Sequence, residues 1–215
     1  RPSSPEKAEL KAKIAELKSQ TFDIPLIIGG KEVRTNNPEQ LRVPHDHSID
    51  LGIYHKAGED EVNLAIDASL AAYKEWSEMP WEHRAAIFLK AADLLAGPWR
   101  ATLNASTMLG QSKTAFQAEI DAAAELADFW RYNAHYMTEL MGEQPGSAAT
   151  VWNRSEYRAL EGFVFAVTPF NFTSIAGNLP TAPALVGWTS LWKPASSAVY
   201  SAYFIMKLLE EAGVP

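Results

Sequence analysis

The sequence contains no cysteine. That excludes a disulfide framework and any thiol chemistry performed by these 215 residues. Positive charge is also short. Nineteen Lys and Arg stand against 26 Asp and Glu, for a net charge of -7. Such a balance disfavours nonspecific binding to nucleic acid or to an anionic membrane. No apolar run reaches membrane-spanning length, no signal peptide pattern is present, and no repeat or low-complexity tract appears. The sequence begins with Arg1 rather than Met, so a leading segment is expected to have been lost. The composition reads as a soluble, intracellular protein of the cytoplasm, or of the mitochondrial matrix in a eukaryote. What the chain does have is 47% hydrophobic content, enough for a core in one or two domains.

The segment Phe163-Val164-Phe165-Ala166-Val167 is apolar, β-branched and aromatic, and reads as a buried strand. Pro169 has no N–H and should end it. Asn171 is then presented at the carboxyl end of a strand, just before a helical pattern, where open α/β sheets bind ligands. A second strand-like run, Thr189-Ser190-Leu191-Trp192, stops at Lys193-Pro194. Ser196 is placed to cap the following amphipathic helix, whose apolar face is Val199, Phe204, Ile205, Leu208 and Leu209. The order strand, helix, strand, helix implies α/β architecture with parallel strands and a right-handed crossover.

Earlier in the chain, residues 4–19 read as a charged helix with Ser4 as N-cap and Pro5 in the first position. Its stripe of Leu10, Ile14 and Leu17 suits packing or assembly. Ile24 to Ile28, Gly29-Gly30 and Lys31 to Arg34 read as a hairpin around a Gly-Gly turn. Ile49 to His55 reads as a further strand. His45-Asp46-His47 lacks further ligands at helical spacing and follows Pro44, so a loop is the better reading than a metal site. Helices are expected over about 59–77, 81–96, 98–110 and 113–141, broken at Pro80 and Gly97-Pro98. Lys90 to Leu95 reads as core packing. Thr150 to Tyr157, after Gln144-Pro145-Gly146, reads as an exposed extended ribbon.

Pro169-Phe170-Asn171-Phe172 followed by Trp192-Lys193-Pro194 resembles the aldehyde dehydrogenase superfamily. Glu119 to Tyr132, Leu160 to Phe163 and Thr168 to Thr173 resemble its L-glutamate γ-semialdehyde dehydrogenases, also called Δ1-pyrroline-5-carboxylate dehydrogenases. The likeness runs from about residue 4 to Pro215. It implies the N-terminal part of an aldehyde dehydrogenase fold. An arm, hairpin and helical part would span 1–141 and an oligomerisation ribbon 142–160. The first βαβα of a Rossmann-like cofactor domain would span 161–215. The fold would be helix-rich, with that ribbon pairing subunits of a homo-oligomer. It also implies NAD-dependent oxidation of a small-molecule aldehyde, glutamate semialdehyde, to glutamate in proline catabolism.

The resemblance carries roles residue by residue. Asn171 matches the donor that stabilises an oxyanion; an amide N–H donates without titrating. Without the resemblance, capping the next helix is the simpler job for an Asn. Lys193 matches the lysine that holds the adenosine ribose hydroxyls of the cofactor. Thr168 and Phe170 fall in the cofactor segment. Ser196 stands where many relatives carry an acid that repels a 2′-phosphate, so NAD over NADP rests on weaker ground here. No Gly-x-Gly-x-x-Gly occurs, and this superfamily binds its cofactor without one. Glu125 matches a glutamate that helps hold the substrate's α-amino group; by pattern alone it is a solvated helix residue. Beside it, Ala122-Ala123-Ala124 would make a thin helix face that a ligand can approach. Phe172 would flank the aliphatic part of the substrate, or else serve as a core Phe. The family's nucleophile is a cysteine thiolate, which is missing here. The expectation is therefore an N-terminal piece, inactive alone and needing a C-terminal catalytic portion. Two rivals remain: an aldehyde dehydrogenase for another substrate, and a non-catalytic nucleotide-binding or scaffold module.

Overall fold

A computed structural model describes residues 3–215 of the chain. It opens with helix α1 (Pro5–Lys18), where the Ser4 hydroxyl accepts the Lys7 N–H at 3.3 Å. This is the expected cap, followed by Pro at N1. Leu17 is buried, and Leu10 and Ile14 pack against the core beside it.

Next come β1 (Phe22–Ile24), β2 (Leu26–Ile28), β3 (Lys31–Val33), β4 (Pro38–Val43) and β5 (Asp46–His55). The hairpin is β2–β3. Gly29 and Gly30 both have positive φ, as a tight primed turn requires. Ile24 does not belong to it. Pro25 divides the run, and β1 pairs parallel with β5 in a three-stranded sheet of order β1-β5-β4. The expected strand at Ile49 begins earlier, so Asp46 and His47 lie in β5 and not in a loop.

Helices α2 (Glu59–Glu78), α3 (Trp81–Ala96) and α4 (Arg100–Gln111) follow close to the expected bounds. The long helix expected at 113–141 is three segments: α5 (Ala115–Ala118), a π-helical turn (Glu119–Ala124) and α6 (Glu125–Gly142). The π turn inserts one residue relative to an α turn. Residues 143–162 contain no strand. Their one ladder contact is an antiparallel bridge between Ala148 and Val151, and Trp152 is 78% exposed.

Strand β6 (Phe163–Val167), helix α7 (Thr173–Leu185) and β7 (Thr189–Lys193) form the expected parallel unit, with Phe163 opposite Thr189 and Val167 opposite Lys193. A 3-10 turn (Ser196–Ala198) then leads into α8 (Val199–Ala212). The expectation of a fully buried β6 fails. Ala166 is buried, but Phe165 and Val167 are 58% and 57% exposed. Among the described residues the sheet has only these two strands, so the face that carries Phe165 and Val167 has no covering layer.

The core lies between the helices, around Phe88, Leu95, Leu103, Leu126, Trp130, Ile205 and Leu208. Two indoles fix α7 against the older helices. Trp76 Nε1 donates to the Ala184 carbonyl at 2.8 Å, and Trp130 Nε1 donates to Thr181 Oγ1 at 2.9 Å. Arg84 is buried without a carboxylate and donates to the carbonyls of Trp76, Met79 and Leu185. Those carbonyls end α2 and α7, where helix dipoles favour a cation. Ala91, Ala92 and Leu95 are fully buried, so these residues of the Lys90 to Leu95 run are core as expected, while Lys90 and Asp93 are exposed.

Candidate active site

The carboxyl ends of β6 and β7 meet at Thr168. Its N–H donates to the Lys193 carbonyl at 3.2 Å, and its buried hydroxyl accepts the Trp192 indole N–H at 2.9 Å. The hydroxyl and the N–H are thus both engaged inside the protein, which leaves the backbone carbonyl for a ligand. Lys193 is exposed at the end of β7 and makes no ion pair among the described residues. Phe170 is exposed on the connecting loop.

Asn171 follows on that loop and is exposed. It does not cap α7. Phe172 occupies the N-cap position and offers no side-chain bond. The first helical N–H, from Thr173, goes instead to the carboxylate of Asp121 on the π turn, at 3.1 Å. An acid from another element thus does the capping and sets negative charge at a helix N-terminus. The Asn171 amide is left available for other work.

Asp121 is 3% exposed and also meets the ammonium of Lys113 at 2.6 Å. Burial raises its carboxyl above the ordinary value, opposed by Lys113 and the Thr173 N–H, while the charge of Glu125 adds to the rise. Lys113 donates to the Asn171 carbonyl at 2.6 Å and lies 4.6 Å from the centre of the Phe172 ring. Phe172 is exposed, so the core alternative for it fails. Below, Thr173 Oγ1 is within 2.9 Å of Thr107 Oγ1 and accepts the Gln111 amide at 2.8 Å.

Glu125 sits four residues beyond Asp121 and is half-buried. It accepts the Ser174 hydroxyl. Asp121 and Glu125 therefore grip two consecutive residues at the start of α7. Glu125 also lines a pocket of about 350 Å³ with Ile120, Ala124, Asp128, Phe129 and Tyr132. Of the three alanines, Ala122 and Ala123 turn into the core and only Ala124 faces this pocket. Consecutive helical residues point about 100° apart, so three alanines in a row do not share one face.

Ser196 stands apart. It opens the 3-10 turn, and the N-cap of α8 is Ala198, with no side-chain bond. The expected Ser196 cap is absent because that turn intervenes. Ser196 lines a separate pocket of about 290 Å³ with Leu51, Tyr54, Gly110 and Tyr200. The geometry thus joins Asn171, Phe172 and Glu125 through α7, sets Thr168 beside Lys193, and leaves Ser196 elsewhere. Reading the sequence missed Lys113, Asp121 and Ser174. Lys113 directly precedes a capping box, Thr114 to Gln117, and Asp121 lies one helical repeat before Glu125.

Residues 35–215 match the sequence model of the aldehyde dehydrogenase family. The chain belongs to that family. Across its full length it is 56% identical to a Δ1-pyrroline-5-carboxylate dehydrogenase of Agaricus bisporus, of which it covers 40%. It is 49% identical to the mitochondrial Δ1-pyrroline-5-carboxylate dehydrogenase of Homo sapiens, over 99% of this chain and 38% of that protein. The crystal structure of the Mycobacterium tuberculosis Δ1-pyrroline-5-carboxylate dehydrogenase bound with NAD is similar with a TM-score of 0.97 and 48% identity. It spans 100% of this chain and 40% of the other. This aldehyde dehydrogenase chain therefore spans about 40% of the length of the relatives it matches. Among its described residues, no helix is long and apolar enough to cross a membrane.

Proposed function

We propose that this chain forms part of an NAD-dependent dehydrogenase that oxidises L-glutamate γ-semialdehyde, in equilibrium with Δ1-pyrroline-5-carboxylate, to L-glutamate. The observation that carries the reading is the freed Asn171 amide at the carboxyl end of β6. The first N–H of α7 is satisfied by Asp121, so this Asn has no structural task on the helix. The strong likeness to enzymes named for this substrate supports the choice of aldehyde.

In this reading a thiolate adds to the aldehyde carbon, and negative charge develops on the carbonyl oxygen. The Asn171 amide N–H donates to that oxygen, in a place where a preset donor contributes about 10²–10³ in rate. These residues hold no cysteine, so the proposal places the thiolate in sequence outside them. Glu125, held by Ser174 at the rim of its pocket, receives the substrate's ammonium group. Phe172 covers the aliphatic carbons between the two ends. NAD supplies the hydride acceptor. The ammonium of Lys193, exposed at the end of a parallel strand and in no ion pair among the described residues, suits ribose hydroxyls, and the backbones of Thr168 and Phe170 lie beside the same strand end. Ser196 would reach the nucleotide only from the neighbouring turn, without an acid's repulsion of a 2′-phosphate.

The exposed segment 142–160, with Trp152 at its tip, is proposed to pair with another subunit of a homo-oligomer. It would divide the arm, hairpin and helices of 1–141 from the start of the cofactor domain in 161–215. A cytoplasmic location, or a mitochondrial one as in the name of the human relative, would suit proline breakdown.

The test is NAD reduction by the complete gene product with glutamate semialdehyde. Asn171→Ala should lower kcat by about 10²–10³ with a small change in KM. Glu125→Ala should raise KM for the semialdehyde and leave aldehydes without an amino group unaffected. Equal effects on both kinds of aldehyde would favour a different substrate, and nucleotide binding without turnover would favour a non-catalytic module.

A further inference from the structure

The ammonium of Lys113 has three neighbours that belong to one piece of machinery. It meets the Asp121 carboxylate at 2.6 Å, donates to the Asn171 carbonyl at 2.6 Å and lies over the Phe172 ring at 4.6 Å. Its side chain is only 18% exposed, and that of Asp121 only 5%. A half-desolvated cation with a fixed carboxylate is held far more tightly than a surface lysine. The backbone delivers it there by construction. Ser112 adopts a left-handed conformation that ends α4, and Thr114 caps α5 immediately afterwards. Lys113 is pinned between the two, facing the π turn.

Asn171 needs such support. It lies on an exposed loop, two residues ahead of α7, and neither neighbour is buried. The only side-chain hydrogen bond to its own backbone among the described residues comes from Lys113. Asp121 links that contact to the helix, since its second oxygen accepts the Thr173 N–H. Ammonium, carboxylate, loop carbonyl and helix N–H thus form one closed ring of contacts around Asn171-Phe172-Thr173. We propose that Lys113, braced by Asp121, is a positioning residue that fixes the direction of the Asn171 amide and the tilt of the Phe172 ring. The inference rests on the oxyanion role proposed above. It adds that donor geometry at Asn171 is set from the α4–α5 turn and not by the loop itself.

The experiment compares Lys113→Met, Lys113→Arg and Asp121→Asn with the parent in the complete gene product. Three quantities are read: steady-state kinetics, the thermal midpoint, and hydrogen exchange of peptides covering 168–176. Lys113→Met keeps the stem and removes the charge and the donor. It should lower kcat about 10²-fold, the scale of a misplaced catalytic group, with KM changed less than about threefold. Exchange at the loop and at Thr173 should rise at least about tenfold, while the rest of α7 stays protected. Lys113→Arg, which can still reach both oxygens, should recover kcat to within about tenfold of the parent. Asp121→Asn should speed exchange at Thr173 as well as lowering kcat. Unchanged exchange in Lys113→Met, or a kcat within about twofold of the parent, overturns the proposal. So does a kcat loss that merely follows the thermal midpoint and is not recovered by Lys113→Arg. If the parent itself turns over no aldehyde, the functional reading fails. The exchange pattern alone then decides whether Lys113 holds the loop.

Discussion

Gly177 on α7 lies against Leu126 of α6, and replacing it with alanine tests whether that approach is a matter of shape. A Cβ at this position would lie 2.7 Å and 3.0 Å from the two methyl carbons of Leu126, and 3.3 Å from Ile205 Cδ1. Leu126 and Ile205 are both fully buried, so neither can swing aside into solvent. Overpacking of this kind costs about 1–3 kcal/mol. Against that, Ala gains about 1 kcal/mol over Gly inside a helix. The expected net loss is about 1 kcal/mol, or a fall of about 2–4 °C in the thermal midpoint for a chain of this size. Leu126→Ala alone should cost about 2–5 kcal/mol by leaving a cavity. In that background the new methyl has room, so Gly177→Ala should become stabilising. The coupling between the two sites should be about 1–3 kcal/mol. Urea unfolding of the four proteins, followed by circular dichroism, measures it. If Gly177→Ala has the same effect in both backgrounds, the close approach is not what requires glycine. The contact also bears on the site, because Ser174, one turn earlier on α7, bonds Glu125 next to Leu126.

Arg84→Met should lower stability by about 2–3 kcal/mol in urea unfolding, since the carbonyls of Trp76, Met79 and Leu185 lose a charged donor in a buried place. Gly52→Ala should cost more and loosen β1 selectively. Residue 52 has φ +115, and a Cβ there would stand 1.9 Å from the Phe22 carbonyl oxygen; faster hydrogen exchange in residues 22–24 reports it. Asp23 is held below the ordinary carboxylate value, chiefly by Arg34 and then by His55. Its contribution to stability is therefore present above the ordinary carboxylate range and is lost as pH falls through the lowered value. Asp23→Asn should flatten that part of the acid-unfolding profile of the thermal midpoint and leave neutral-pH mutational comparisons elsewhere unaltered.

The helices were legible because their apolar residues recur every three or four positions and their ends carry local chemistry, such as Ser4 before Pro5. The β6–α7–β7 unit was legible for the same kind of reason: short apolar runs stopped by proline. What local pattern could not supply was the identity of distant partners. Asn171 looks like a helix cap until Asp121, 50 residues earlier, is seen to take that role. Ser196 looks like one too, but the chain first makes a 3-10 turn. Strand β4 carries too few apolar residues to declare itself, and its pairing with β5 is set by tertiary contact. The exposure of Phe165 and Val167 was beyond reach for a different reason. An apolar strand announces that it will be covered, but not which stretch of polypeptide does the covering.

The π turn makes chain length, and not only side-chain identity, a variable of the site. The N–H of Glu125 bonds the Ile120 carbonyl five residues back. Removing one residue between them would let α5 and α6 merge into a continuous α-helix, which local energetics favour. The turns on either side would keep their faces, because a π turn carries five residues where an α turn carries four, and the change would fall on the bulge itself. Asp121 and Glu125 would then stand three apart and not four, which shifts the spacing that now reaches Thr173 and Ser174 together. A single-codon deletion there should thus leave a longer, more regular helix and a poorer grip on the start of α7, a case in which improving secondary structure loosens the arrangement that the irregularity holds.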